Sequence, residues 1–125
     1  MITFLGTGHL GGNFTKALLK QGETVHVWNR TNEKAKALEA DGAKVFDSPA
    51  DAVRGVKRVH IVVSDDAAVD EVLNNAAPAL EPGAIIIDHT TTSVAGAVQR
   101  TAQWAAKGYT YIHAPVFMGP INALE

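Results

Sequence analysis

Apolar residues follow two different periods along this 125-residue chain. Short apolar runs predict strands at residues 2–5, 24–28, 44–46, 58–63, 84–87 and 109–112. Between them, apolar residues at helical spacing predict helices at residues 10–21, 32–41, 49–54, 67–76 and 93–107. Strands and helices that alternate in this way indicate an α/β fold with a doubly wound parallel sheet in three αβα layers. The aliphatic runs at 59–63 and 84–87 are typical of central strands buried on both faces.

A glycine-rich segment follows the first predicted strand. Gly6 permits a tight turn, Gly8 allows the backbone to approach a phosphate, and Gly11 allows the next helix to pack closely on the sheet. The helix that begins there offers unpaired N–H groups and a positive dipole end to a pyrophosphate. Glycines also collect in ordinary turns, but the flanking strand and helix favour a dinucleotide site in a Rossmann fold. The cofactor-binding residues predicted here are Gly6, Thr7, Gly8, His9, Leu10 and Gly11.

The end of the second predicted strand indicates which dinucleotide binds. NAD-binding proteins usually place an acidic residue there, on the ribose 2′-hydroxyl, whereas this chain has Asn29, Arg30 and Thr31. A guanidinium can pair with a 2′-phosphate that a carboxylate would repel, and the Asn and Thr side chains can donate hydrogen bonds. We therefore predict that the cofactor is NADP. In the alternative interpretation, Arg30 is a solvated loop cation and Thr31 is the N-cap of the next helix.

Length and composition are those of one folded domain, residues 1–125. A hydrophobic content of 46% is unlike that of a disordered chain, and a net charge of −2 without a basic cluster argues against nucleic acid as a partner. The absence of cysteine excludes disulfides, and the five scattered histidines predict no metal site. No apolar run has the length of a membrane span, so we expect a cytoplasmic protein without a membrane partner.

A polar segment follows each of the two central strands, at the edge where such a sheet binds ligands. After the fourth strand, Val63, Ser64 and Asp65 are predicted to contact the cofactor. Asp65 or Asp66 also suits the N-cap and first turn of the next helix, and the two interpretations are compatible.

After the fifth strand, residues 88–93 supply hydroxyl groups where a nicotinamide and a small polar substrate would meet. We expect Ser93 or Thr92 to cap the following helix. His89 is a candidate acid or base, although a lone histidine is more often structural. After the last strand, Phe117 and Met118 are candidates for substrate contacts and equally for core or interface residues.

Together these segments resemble the amino-terminal domain of the β-hydroxyacid dehydrogenase family, which includes 3-hydroxyisobutyrate dehydrogenases, tartronate semialdehyde and glyoxylate reductases, and 6-phosphogluconate dehydrogenase. The resemblance implies NADP-linked interconversion of a small β-hydroxyacid and its carbonyl form by hydride transfer. It also implies that Thr90 corresponds to the substrate-binding Ser of the family's D-x-S-T motif, and Thr91 to its cofactor-contacting Thr. The matching segments are residues 4–11, 27–31, 62–66 with Val69 and Val72, 88–91 and 114–116.

The chain departs from the family pattern at two places on the substrate side. The family usually has Ser-Gly-Gly after Ala-Pro-Val, where it holds a substrate carboxylate through backbone amides, and this chain has Phe117, Met118 and Gly119. We predict that these three residues bind substrate together with Thr90, and that the substrate has a bulkier or more apolar end. Val94 replaces the family's Pro, and the Asn-Arg-Thr element resembles related imine reductases, so an imine-reductase-like domain remains an alternative.

Family members are typically much longer, and their catalytic Lys and neighbouring Asn lie beyond the point where this sequence stops. Lys107 does not match that position, so we predict no catalytic residue within the chain. We expect a chain that binds cofactor but is nearly inert alone as a dehydrogenase, and favour an oxidoreductase fragment over a stand-alone NADP-binding or sensing module. Without a helical half, self-association into a homo-oligomer through Phe117, Met118 and Ile121 is expected.

Overall fold

The apolar runs of the sequence form the strands of one six-stranded sheet, as predicted. A computed structural model describes residues 1–6, 15–30, 33, 36–90 and 92–114. All strand pairs are parallel, and their order is β3-β2-β1-β4-β5-β6. The strands are β1 (Ile2–Leu5), β2 (Val25–Trp28), β3 (Lys44–Val45), β4 (Arg58–Ile61), β5 (Ile85–Asp88) and β6 (Thr110–His113).

The helices follow the predicted pattern, with one difference. They are α1 (residues 15–20), α2 (Pro49–Val53), α3 (Asp66–Ala76) and α4 (Val94–Ala106). The predicted start of the first helix, before residue 15, lies outside the described residues. In the predicted helix 32–41, residues 33 and 36 are helical, but the end is a 3-10 turn, Glu39–Asp41. The chain leaves this turn at Gly42, whose φ of 104° prevents a continued helix.

Alternate side chains of the strands face two different layers. On one face, Val25 and Val27 pack with Leu38, and Leu18 and Leu19 of α1 lie against the same cluster. On the other face, strand residues pack against α2, α3 and α4 in a larger cluster that contains Val59, Ile61, Ile86, Val53, Val69, Leu73 and Trp104. The three-layer αβα arrangement is therefore confirmed.

The β4 to β6 half of the first face is less covered than expected. Ile85 and Ile112 are 40% and 45% exposed, so the prediction that 84–87 is buried on both faces is wrong at Ile85. The reason is that the described helices after β4 and β5, α3 and α4, both pack on the opposite face. Among the described residues, no helix is long and apolar enough to cross a membrane.

Candidate functional site

The strand order creates a crevice at the carboxyl ends of β1 and β4. The chain runs outward from β1 through β2 to β3 on one side, and from β4 through β5 to β6 on the other. In a doubly wound sheet, this switch of direction is where ligands bind. Because all strands are parallel, β1, β2, β4, β5 and β6 end at this same edge, where the predicted segments begin.

Gly6 makes the turn that leaves β1 as the sequence predicts. Its N–H donates to the carbonyl of Trp28 at 2.7 Å, and its φ is 88°, in the left-handed region that favours glycine. A Cβ atom on Gly6 would overlap the carbonyl oxygen of Val62, at the end of β4. The glycine is thus required by the close approach of two loops at the crevice, which fits the start of a dinucleotide cradle.

Several predicted site residues lie outside the part of the chain that the structure describes. On the cofactor side these residues are Thr7, Gly8, His9, Leu10, Gly11, Thr31 and Thr91. On the substrate side they are Phe117, Met118, Gly119 and Ile121.

Arg30 lies at the carboxyl end of β2 and is exposed. Its Nη2 atom is 3.2 Å from a carboxylate oxygen of Glu71 on α3, and the two side chains are 64% and 63% exposed. Ion pairs at this exposure contribute about 0–1 kcal/mol and exchange partners easily. Arg30 therefore lies at the carboxyl edge of the sheet, on the β2 side, and remains able to bind another anion. The neighbouring Asn29 is half-buried.

The loop after β4 is held in place by hydrogen bonds from backbone N–H groups to side-chain oxygens. Asp65 is the N-cap of α3, and its side chain accepts from the N–H of Ala68 at 2.9 Å, which confirms the capping interpretation. The N–H of Val63 donates to the Thr90 hydroxyl at 3.0 Å. Ser64 and Asp65 are exposed at the edge of the crevice. A cofactor contact at these residues stays a prediction.

Asp88 and Thr90 organise the loop after β5. Asp88 is fully buried, and its carboxylate accepts from the N–H of Thr90 at 2.9 Å and from the hydroxyl of Tyr111. Burial, together with the Asp88 carboxylate, raises the pKa of Tyr111, so this hydroxyl stays neutral and donates. Thr90 is only 2% exposed, and its hydroxyl is the acceptor for Val63. The residue predicted to bind substrate therefore also ties the loops after β4 and β5 together.

A buried arginine, which the sequence analysis did not single out, joins α3 to α4. Arg100 is 2% exposed, and its guanidinium donates to Asp66 and, at 2.8 Å, to Asp70. Burial opposes its charge, but the hydrogen bonds to the two carboxylates raise the pKa of Arg100. The same bond from Arg100, and one from the N–H of Ser93, lower the pKa of Asp66. Asp66 is thus a structural bridge between the two helices.

The sequence does contain a signal for this cluster. Ala97, Arg100 and Trp104 recur at helical spacing on the buried side of α4, and a charged residue in an apolar stripe requires a partner. Asp66 and Asp70, one turn apart on α3, supply it. Gly96 makes room, because a Cβ atom there would overlap a carboxylate oxygen of Asp66. Ser93 is the N-cap of α4, as predicted, and accepts from the N–H of Gly96 at 3.0 Å.

His89 lies beside the crevice with both ring nitrogens engaged. One nitrogen is 2.8 Å from Nδ1 of His60 and the other is 3.1 Å from the carbonyl of Ala114. Burial lowers the pKa of His89, partly offset by the bond to Ala114 and by Asp88. This placement favours the structural interpretation. Lys107 follows α4 at the opposite edge of the sheet, 4.7 Å above the Trp104 ring. Within the described ranges, no group of acidic and histidine side chains is arranged to hold a metal ion.

Comparison with known proteins agrees with this geometry. The family model for the NAD binding domain of 6-phosphogluconate dehydrogenase matches residues 1–125. The chain belongs to this family. It is thus an NAD-binding domain of the hydroxyacid dehydrogenase type, and the family's cofactor is a nicotinamide dinucleotide.

Individual relatives come from several kinds of oxidoreductase. Glyoxylate/succinic semialdehyde reductase 1 of Arabidopsis thaliana is 32% identical over 118 residues, which cover 92% of this chain and 41% of the relative. Mycobacterium tuberculosis 3-hydroxyisobutyrate dehydrogenase, solved with L-serine, has a TM-score of 0.94 at 28% identity and covers 98% of this chain and 42% of that one. The reductive aminase of Aspergillus terreus, solved with NADPH and ethyl levulinate, has a TM-score of 0.85 at 28% identity and covers 96% and 42%. The chain therefore spans about two fifths of the length of these relatives.

Proposed function

We propose that this domain binds NADP in preference to NAD and serves an oxidoreductase that interconverts a small β-hydroxyacid and its carbonyl form. The observation that carries the proposal is Arg30, an exposed cation at the carboxyl end of β2, where an NAD-binding domain usually has a carboxylate. The NADPH bound to the related reductive aminase supports the same choice of dinucleotide. The cofactor, when bound, supplies or accepts the hydride.

The adenosine side of the site is proposed to lie at the ends of β1 and β2. Gly6 begins the turn proposed to hold the pyrophosphate, and Asn29, Arg30 and Thr31 are proposed to surround the 2′-phosphate. Pairing with a doubly charged phosphate would replace the contact between Arg30 and Glu71. Because that contact is exposed on both sides, its loss costs little compared with a bidentate guanidinium–phosphate pair.

The nicotinamide and substrate side is proposed to lie at the ends of β4, β5 and β6. Val63, Ser64 and Asp65 follow β4, Thr90 and Thr91 follow β5, and Phe117, Met118 and Gly119 follow β6. The rigid hydrogen bonds of Asp88 and Thr90 hold the first two loops at a fixed separation. Hydride transfer requires the nicotinamide and the substrate carbon to be held in contact, and loops at fixed positions favour such an arrangement.

The chemistry itself is proposed for a longer protein. General acid catalysis needs a proton donor at the substrate oxygen, and His89 has both nitrogens engaged by protein groups. We therefore expect the purified chain to bind cofactor without turning over a small aldehyde or keto acid. Measurable oxidation of NADPH with glyoxylate or succinic semialdehyde by the purified chain would contradict this part.

Calorimetric titration of the chain with NADPH and with NADH, at the same salt concentration, tests cofactor choice. We expect tighter binding of NADPH in the native chain, and loss of the difference in Arg30→Ala. Arg54→Ala is the matched control, since Arg54 is an exposed arginine paired with Asp51 at 2.8 Å away from the crevice. Equal affinities for the two dinucleotides in the native chain would contradict the proposal.

An imine substrate is the second candidate. The structural likeness to the reductive aminase and the apolar Phe117 and Met118 in the predicted substrate loop favour it. In the longer protein, reduction of a cyclic imine in preference to glyoxylate would support this candidate, and the reverse preference would support the hydroxyacid.

A further inference from the structure

Three polar side chains form a row on the partly covered face of the sheet. Nε of Arg58 is 2.8 Å from Nε2 of His60, Nδ1 of His60 is 2.8 Å from Nε2 of His89, and Nδ1 of His89 is 3.1 Å from the carbonyl oxygen of Ala114. The two imidazole rings are nearly coplanar, with 10° between their planes and 5.0 Å between their centroids. The ring of Phe4 stacks on His60 at 4.9 Å. The row runs from the exposed start of β4 to the carboxyl end of β6.

The chemistry of the two ends fixes the direction of every hydrogen bond between them. The guanidinium of Arg58 can only donate, so Nε2 of His60 must carry a lone pair. The carbonyl of Ala114 can only accept, so Nδ1 of His89 must carry a hydrogen. A neutral imidazole has one hydrogen, which places it on Nδ1 of His60 and leaves Nε2 of His89 to accept it. Both ends therefore demand the same pair of tautomers.

We propose that Arg58, His60 and His89 form a one-directional hydrogen-bond chain that positions the carbonyl of Ala114, and that His89 is a positioning residue without acid or base function. A proton added to either ring would set two donors against each other and break a bond of the row. Burial is the largest cause that lowers the pKa of His60 to about 3, and the neighbouring His89, which would oppose a second positive charge, and the Arg58 cation add to it.

The role of this row of hydrogen bonds rests on the proposed function, because Ala114 is the first residue of the segment predicted to hold substrate. The peptide groups of Ala114 are bound on both sides: its N–H donates to the carbonyl of Asp88 at 2.8 Å, and its carbonyl accepts from His89. These two bonds fix the orientation of the Ala114 peptide groups at the end of β6. Arg58, at the far end of the row, thereby contributes to the geometry of the candidate substrate side.

The tautomers can be measured directly in the full chain labelled with ¹⁵N at histidine. At pH 7 we expect His60 and His89 each to carry hydrogen on Nδ1 only, with a coupling through the hydrogen bond between Nδ1 of His60 and Nε2 of His89. A hydrogen on Nε2 of either ring, or an imidazolium signal at pH 6, would overturn the proposal.

Positioning is tested by a conservative rescue. Asn can replace the donor at Nδ1, so His89→Asn should retain the native carbonyl ¹³C shift of Ala114, whereas His89→Leu should lose it. His26→Leu is the matched control, because Nδ1 of His26 also contacts a backbone carbonyl, that of Ala52 at 3.3 Å, on the opposite face. Identical Ala114 shifts in the native, Asn and Leu chains would overturn the positioning role.

Arg58→Ala provides a second test from the other end of the row, because Arg58 is exposed at the first residue of β4. Loss of its donor and positive charge should raise the pKa of His60 measurably, while Arg54→Ala should not. An unchanged pKa of His60 would contradict the proposed row.

Calorimetric titration with NADPH separates the two proposals, because His89→Leu should bind NADPH within about twofold of the native chain. If the native chain shows both predicted tautomers but does not bind NADPH, only the proposed function is contradicted.

Discussion

The two sides of the carboxyl edge are held together by different kinds of interaction. At the end of β2, Arg30 meets Glu71 in an ion pair exposed on both sides. At the end of β5, Asp88 and Thr90 are at most 2% exposed and are hydrogen-bonded to each other, and the equally buried Arg100 of α4 bonds to Asp66 and Asp70 of α3. An exposed pair exchanges partners at little cost, whereas a buried network fixes the positions of its members. Substitutions on the first side should therefore change ligand affinity, and substitutions on the second should change stability.

The largest effect is expected from Arg100→Leu. The change removes the cation shared by Asp66 and Asp70 and separates α3 from α4, which should lower the free energy of unfolding by about 2–4 kcal/mol. Urea denaturation followed by circular dichroism measures the loss. Arg54→Ala, which removes an exposed arginine, should change stability by less than about 0.5 kcal/mol. Equal losses in the two variants would show that the buried cluster is no stronger than a surface pair.

Gly96→Ala gives a prediction whose sign is decisive. Gly96 is the third residue of α4, and within a helix this change normally stabilises, by up to about 1 kcal/mol, because alanine has the higher helix propensity. Here the new Cβ would overlap the carboxylate of Asp66, so we expect destabilisation by about 1–3 kcal/mol. The midpoint of urea denaturation is the measurement. A higher midpoint than that of the native chain would contradict the tight packing around Asp66 and Arg100.

Thr90→Val tests the link between the loops after β4 and β5. The variant keeps the shape of the side chain but leaves the N–H of Val63 without its acceptor, at an expected cost of about 1–2 kcal/mol. Thermal unfolding compares it with Thr90→Ser, which retains the hydroxyl and should recover most of the loss. If valine and serine destabilise equally, the hydroxyl does not join the loops.

Because His60 on β4 is buried, we predict that the stability of the domain depends on pH. The pKa of His60 is about 3 in the folded chain and 6.5 when unfolded, so below about pH 6.5 the unfolded state binds the extra proton. His60 therefore contributes stability at neutral pH that is lost as the pH falls toward 3, with a slope of up to ~1.4 kcal/mol per pH unit. Urea denaturation at several values between about pH 7 and about pH 4.5 should show that the free energy of unfolding changes less steeply with pH in His60→Gln than in the native chain. Parallel slopes would contradict a neutral, buried His60.

Local signals in the sequence predicted the elements well and the non-local contacts poorly. Apolar runs located the six strands of the described residues, and each observed cap, Ser93 and Asp65, was one of two neighbouring candidates, because a cap depends only on its own neighbourhood. Arg100 and Asp66 are 34 residues apart, and His60 and His89 are 29 apart, so their pairing depends on the order of the strands. His89 was considered singly for that reason, although the parallel register that pairs His60 with Ile87, two residues before His89, follows from the fold.

Exposure was harder to predict than element type. The aliphatic run of β5 suggested burial on both faces, but a strand's second face is buried only if a later element packs on it. Ile85 remains 40% exposed because α3 and α4 both pack on the other face. The predicted helix 32–41 likewise differs from the structure at one end, which is a 3-10 turn because Gly42 redirects the chain toward β3 within one turn.

The central claim is that an exposed Arg30 exchanges Glu71 for the 2′-phosphate of the dinucleotide. The most direct test is the NADPH affinity of Glu71→Gln, measured by calorimetry in the native and the Arg30→Ala backgrounds, with NADH alongside. We predict that Glu71→Gln tightens NADPH binding severalfold in the native background only, and leaves NADH binding unchanged, because the freed guanidinium acts on the 2′-phosphate alone. An equal gain for both dinucleotides, or the same gain without Arg30, would contradict the account.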